Sequence, residues 1–245
     1  IPDSDEEPTT PWRASAELAV RRLAAITIAG AALGVLVGGV GGRLAMLLLA
    51  ARNPRATGVA SDDGFTMGQF TIGGTAQLLG TAWQVGLLGA FAYALVRSLL
   101  IGPTWFRVVS VSLGSGVVVA ALIVHTDGVD FTLLQPTALT VGLFVAIPVV
   151  YAALLTLVTE RWIAAGGWPA QGRLRAVLAT LLLWVPLLPL LPVLVGGWAV
   201  AEWVRRRSGR PRLCGPVLSW WARAALAMVF LVAVDDLVSD IRLLS

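Results

Sequence analysis

The chain has 245 residues, 57% hydrophobic and only 13% charged, and the charges cluster between long apolar runs. A soluble domain spreads its charges over a surface, so that class is excluded, and no stretch between the runs is long enough for a separate soluble domain. The net charge of +4 does not point to nucleic acid, because the arginines stand at run ends beside tryptophan, the pattern of a membrane interface.

Residue chemistry narrows the function classes further. All 18 basic residues are Arg, which removes Schiff-base chemistry on lysine. His125 and Cys214 are single, so a bis-histidine haem, a typical zinc site, an iron-sulfur cluster and an internal disulfide are not expected. No cofactor or metal is expected, and an enzyme is disfavoured, since no nucleophile stands with a base.

Residues 1–10 are acidic and contain proline, without the basic start of a signal peptide, and read as a disordered tail. Residues 11–245 read as one helical membrane domain. Thr10–Pro11 is a helix start, and Glu17 stands four residues before Arg21 as a supporting pair. The first apolar run, Leu23 to Ala51, exceeds the roughly 20 residues that a span needs, so tilt or an extension beyond the bilayer is expected. Asn53–Pro54 ends it. A polar stretch with Asp62 and Asp63 follows, and its Phe65, Phe70 and Ile72 suggest that it lies on the bilayer surface.

The second run is Thr75 to Leu100, and the third, Val108 to Val124, is short for a span. The fourth, Phe131 to Val158, holds Pro148, where a kink is expected. The fifth, Ala176 to Val204, carries Pro186, Pro189 and Pro192 in its middle, and the sixth runs from Pro216 to Val234 before Asp235, Asp236 and Asp240. The fold class is therefore all-α and polytopic, with about six membrane segments.

Orientation follows from the arginines near segment ends. With the N-terminus in the cytoplasm and six full spans, the inner side holds nine and the outer side seven, including the run of five at residues 205–212. A fifth segment that enters and returns on the same side changes the split to thirteen against three, and its prolines stand where such a re-entrant hairpin turns. Against this, 29 residues make one comfortable tilted span. The two readings are evenly balanced.

The sharpest motif is Gly30, Gly34, Gly38 and Gly42, four residues apart, a glycine-zipper stripe on which a neighbouring backbone can approach closely. Gly86, Ala90 and Ala94 repeat the spacing in the second run, Ser112, Gly116 and Ala120 in the third, and Ala138, Gly142 and Ala146 in the fourth. Ionisable groups inside membrane segments are functional candidates because burial is expensive. Arg43 falls near the outer interface, where snorkelling to headgroups is its simplest role, and Arg223 beside Trp220–Trp221 is placed to bind anionic lipid. Gln84 is the strongly polar side chain near the middle of the second run. Asp62 and Asp63, with Asp127 and Asp130, form two acidic turns that could share a hard cation, although solvated turns are the better reading.

Two function classes remain. The first is a non-catalytic integral subunit or accessory protein of a larger membrane assembly, packing through small-residue faces against other subunits and the lipid bilayer. The alternative is a small-solute or ion transporter or channel with a midplane site, which the broken fifth run and a loose echo between residues 61–66 and 126–132 would suit. Either way the expected location is a plasma (inner) membrane, crossed several times.

Overall fold

The computed structural model describes residues 11–59, 68–97, 99–124, 134–164, 172, 174–190 and 214–244, and every regular element among them is helical. The first is one long rod in three windings: α1 (Pro11–Leu33), a π-helical stretch (Gly34–Gly41) and α2 (Gly42–Arg52). The π stretch reads GVLVGGVG, and its glycines supply little side-chain packing to hold the tighter α winding, so the wider i→i+5 turns form there. Asn53 stops the rod, and Pro54–Ala56 adds a 3₁₀ turn.

Next come α3 (Ile72–Val96), α4 (Thr104–Ile123) and α5 (Thr137–Ala164). Thr71 caps α3 by accepting the amide hydrogen of Gly74 at 3.1 Å. Helix α5 continues through Pro148. The short α6 (Leu174–Ala179) tightens into a 3₁₀ winding, Thr180–Leu190, where Pro186 and Pro189 each remove a backbone donor. The last helix is α7 (Cys214–Leu244).

Four stretches are long and apolar enough to cross a membrane: Glu17–Arg52, Ile72–Val96, Thr104–Ile123 and Thr137–Ile163. The described residues are thus all-helical, with four helices of membrane-spanning length and apolarity. Four of the expected six segments have such helices among the described residues. The fifth run is described only as far as Leu190, and α7 carries Arg223 at one end and Asp235, Asp236 and Asp240 at the other. The tail at residues 1–10, the acidic turns with Asp62, Asp63, Asp127 and Asp130, and the arginine run at residues 205–212 lie outside the described residues.

Contacts fix the direction of each helix. Ile26 and Ala29 of α1 pack with Ala90 and Tyr93 near the end of α3, so these helices are antiparallel. The end of the bundle that holds Arg21, Arg97 and Glu160 is termed basal, and the end that holds Arg43 and Asn53 apical. At about 1.5 Å per residue, the 36 residues from Glu17 to Arg52 span about 54 Å, well beyond the roughly 30 Å hydrocarbon core. At the apical end of the rod Leu49 and Ala56 pack on Leu134. There Asn53 donates to the carbonyl of Gln135 at 3.0 Å and accepts from its amide at 2.8 Å.

Segment α6 and its 3₁₀ continuation follow α1 from the basal end. Arg21 donates to the Gly172 carbonyl at 2.8 Å, Trp184 donates to the Thr27 hydroxyl at 3.0 Å, and Leu187 packs on Ala31 and Leu87. Helix α7 runs parallel to α4. Its Arg223 donates to the Leu99 carbonyl in the basal α3–α4 turn, while Ala233 and Leu237 pack on Ala120, Ala121 and Val124 at the apical end of α4.

Candidate functional site

The closest helix crossing is built from glycine. A Cβ on Gly34 would lie 2.8 Å from the Gly86 Cα and 2.5 Å from the Ala82 carbonyl oxygen, and one on Gly86 would stand 2.6 Å from the Gly34 Cα and overlap the Gly30 carbonyl. Only glycine lets these backbones meet, and dispersion then replaces the hydrophobic drive that lipid cannot supply. Tyr151 of α5 closes the crossing by donating to the Gly86 carbonyl at 2.5 Å. The four expected glycines do not share one face. Gly38 sits farther off, its Cβ position 3.4 Å from the Ala82 side chain, Gly39 comes closer through Leu79, and a Cβ on Gly42 would meet nothing within 4 Å. The π winding explains the departure, because its wider turns rotate a four-residue repeat out of register.

A polar cluster that sequence reasoning passed over lies at the basal end. Glu160 of α5 receives two hydrogen bonds from Arg97, Nε to Oε1 at 2.6 Å and Nη2 to Oε2 at 3.1 Å, and a third from the Tyr93 hydroxyl at 2.8 Å. Tyr93 is 3% exposed, so this pairing ties α3 to α5 where water is largely excluded. The available signal was the four-residue spacing of Tyr93 and Arg97, which places both on one helix face. Chemically the cluster is a completed ion pair with its carboxylate oxygens occupied.

The other candidates scatter. Arg43 is 9% exposed; its Nη2 donates to the Gln69 carbonyl at 3.1 Å, its guanidinium lies 5.3 Å from the Phe70 ring centre, and its Nε is buried without a partner among the described residues. Gln84 is exposed on the outer face of α3, away from the helix interfaces. Arg223 lies at the basal end, 5.4 Å from the Trp220 ring centre. No group of three His, Cys, Asp or Glu that could hold a metal exists among the described residues.

The small-residue stripes have different fates. Gly86 and Ala90 meet α1, and Gly116 meets Val145 and Val149 of α5, so those faces are filled within the chain. Ala138, Gly142 and Ala146 are exposed, and a Cβ on Gly142 would meet nothing within 4 Å. Beside them an apolar cleft of ≈ 320 Å³ opens between the rod and α5, walled by Gly41, Leu44, Ala45 and Leu48 on one side and by Leu143, Ala146, Ile147 and Val150 on the other. Comparison with protein-family models, curated proteins and solved structures found no match.

Proposed function

We propose that this chain is a non-catalytic integral membrane subunit or accessory protein that seats a transmembrane helix of another subunit in the cleft between the rod and α5. The observation that carries the reading is the open stripe Ala138, Gly142 and Ala146 beside that cleft, while Gly86 and Ala90 are covered by α1 and Gly116 by α5. Small residues let a neighbouring helix approach closely, and the walls of the cleft offer dispersion contact without polar groups that need satisfying.

Gly142→Leu and Ala146→Leu fill the groove without touching an internal contact of Gly142. Purification in mild detergent should then yield the chain with unchanged melting temperature but with a defined copurifying subunit lost and the native mass reduced. The same subunit at the same stoichiometry in both variants would refute the reading.

The proposed topology has the N-terminus in the cytoplasm of a plasma membrane and a fifth segment that returns to its side of entry. Two contacts support the return of the fifth segment: Leu187 reaches Ala31 and Leu87 partway along the rod, and α7 sets out from the basal end, where Arg223 meets Leu99. Only 23 residues separate Leu190 from Cys214, too few for two crossings of about 20 residues each. A transporter draws on the basal Glu160 cluster, but Gln84, its midplane candidate, faces outward.

A further inference from the structure

At the basal end two arginines from different helices are held in the same unusual way. Arg107 of α4 donates through Nε to the Gly102 carbonyl at 3.0 Å, and Arg223 of α7 donates through Nε to the Leu99 carbonyl at 2.9 Å. Both carbonyls belong to the single α3–α4 turn. A guanidinium anchored through Nε keeps its two terminal nitrogens together as a fork, the geometry that matches phosphate and carboxylate oxygens. Neither arginine forms a close ion pair among the described residues, although the charge of Arg107 acts on Glu160. The described carboxylates of this end, Glu17 and Glu160, are taken by Arg21 and Arg97.

The turn lies where two spans end, between Val96 and Thr104. Trp105 and Phe106 at the start of α4 and Trp220 and Trp221 of α7 are all exposed, at 68%, 47%, 65% and 71%. Exposed indole and phenyl rings beside arginine mark the level of lipid headgroups. Two arginines at that level, Arg107 with its charge only partly offset by Glu160, complement an anionic headgroup.

We propose that the α3–α4 turn and the start of α7 bind the phosphate of an anionic phospholipid through the terminal guanidinium nitrogens of Arg107 and Arg223, with the four aromatic side chains flanking its glycerol and upper acyl region. The site lies at the other end of the bundle from the cleft and is independent of it. It ties α7 to the bundle through the lipid as well as through its packing on α4.

The test is native mass spectrometry of the purified chain after delipidation and incubation with equimolar phosphatidylglycerol and phosphatidylcholine, with soluble glycerol 3-phosphate as a separate arm. Phosphatidylglycerol should be retained in preference to phosphatidylcholine, and glycerol 3-phosphate should not displace it. Each of Arg107→Gln and Arg223→Gln should weaken retention about fivefold, from the contribution of one basic side chain near an anionic lipid. The pair should weaken it about 25-fold if the two act independently. Arg161→Gln, an exposed basal arginine outside the site, should leave retention unchanged. Equal retention of the two lipids by the wild-type chain would overturn the proposal whether or not any variant folds. Displacement by glycerol 3-phosphate would assign the forks to a free phosphate compound instead, and wild-type retention by the double variant would remove them from the site.

Discussion

The glycine crossing makes a quantitative demand on Gly86→Ala. The added methyl stands 2.6 Å from the Gly34 Cα and 3.1 Å from its nitrogen, both backbone atoms that no rotamer change can move. Carbon atoms pack at about 3.5 Å or more, so α1 and α3 must part by roughly 1 Å at the crossing. Overpacking of that kind costs about 1–3 kcal/mol, and alanine returns only about 0.5–1 kcal/mol of helix propensity. Separation also stretches the Tyr151 hydrogen bond to the Gly86 carbonyl, about 0.6 kcal/mol in a membrane protein. The net loss is about 2 kcal/mol. Gly80 on the same helix is the control, because a Cβ there would meet nothing within 4 Å. Its alanine variant should gain about 0.5–1 kcal/mol, so two chemically identical substitutions six residues apart should differ by about 2–3 kcal/mol. Unfolding by SDS titration in mixed micelles, followed by tryptophan fluorescence, measures both. Coincident midpoints for Gly86→Ala and Gly80→Ala would show that the backbones do not meet as described.

Gln84→Leu should be neutral or slightly stabilising, since this amide faces outward from α3, and a loss above about 1 kcal/mol in the same titration would place it in a contact. Glu160→Gln should cost about 2 kcal/mol because it leaves the partly buried Arg97 without its anion, whereas Glu17→Gln, at a carboxylate 43% exposed, should cost less than about 1 kcal/mol. Equal losses would mean that the basal cluster is as solvated as the surface pair. The topology predicts that a cysteine from Ser208→Cys, in a Cys214→Ser background, reacts with an impermeant maleimide only after the cells are permeabilised. Strong labelling of intact cells would exclude the returning fifth segment.

Helix ends were legible in the sequence because they are marked by side chains with local roles. Asn53–Pro54 ends the rod, and Glu17 bonds Arg21 one turn on, as spacing alone predicts. Helix pairing was much less legible. A four-residue repeat of small residues occurs on four runs, and nothing in the spacing says that Gly34 meets Gly86 while Gly142 meets nothing. The π winding was also hidden, since it depends on how a glycine-rich stretch settles against Leu79 and Ala82, and it carries Gly42 off the contact face. Glu160 escaped notice for a different reason. It stands beside Arg161 at the end of an apolar run, where a carboxylate ordinarily just reaches water, and only the turn of α3 reveals Tyr93 and Arg97 as its partners.

The polar groups bear on function through their position. A solute crossing the bilayer needs groups that replace its water near the midplane. Here the charged side chains with described contacts collect at the two ends: Arg97 with Glu160 and Arg223 with the α3–α4 turn at one, and Arg43 with Gln69 and Phe70 at the other. Between them the helices meet through glycine, alanine and threonine; Thr27 bonds Leu23 and Trp184 and Thr156 bonds Ala152, while the buried Thr159 hydroxyl has no partner among the described residues. Such an interior is filled by packing and leaves its remaining specificity to the surface. On that surface lipid chains can wet any apolar face, but a groove with a glycine and two alanines along its edge gives a helix closer contact than a mobile acyl chain can keep. That contrast is the ground on which we propose the outer face of α5 as the seat of a second membrane protein.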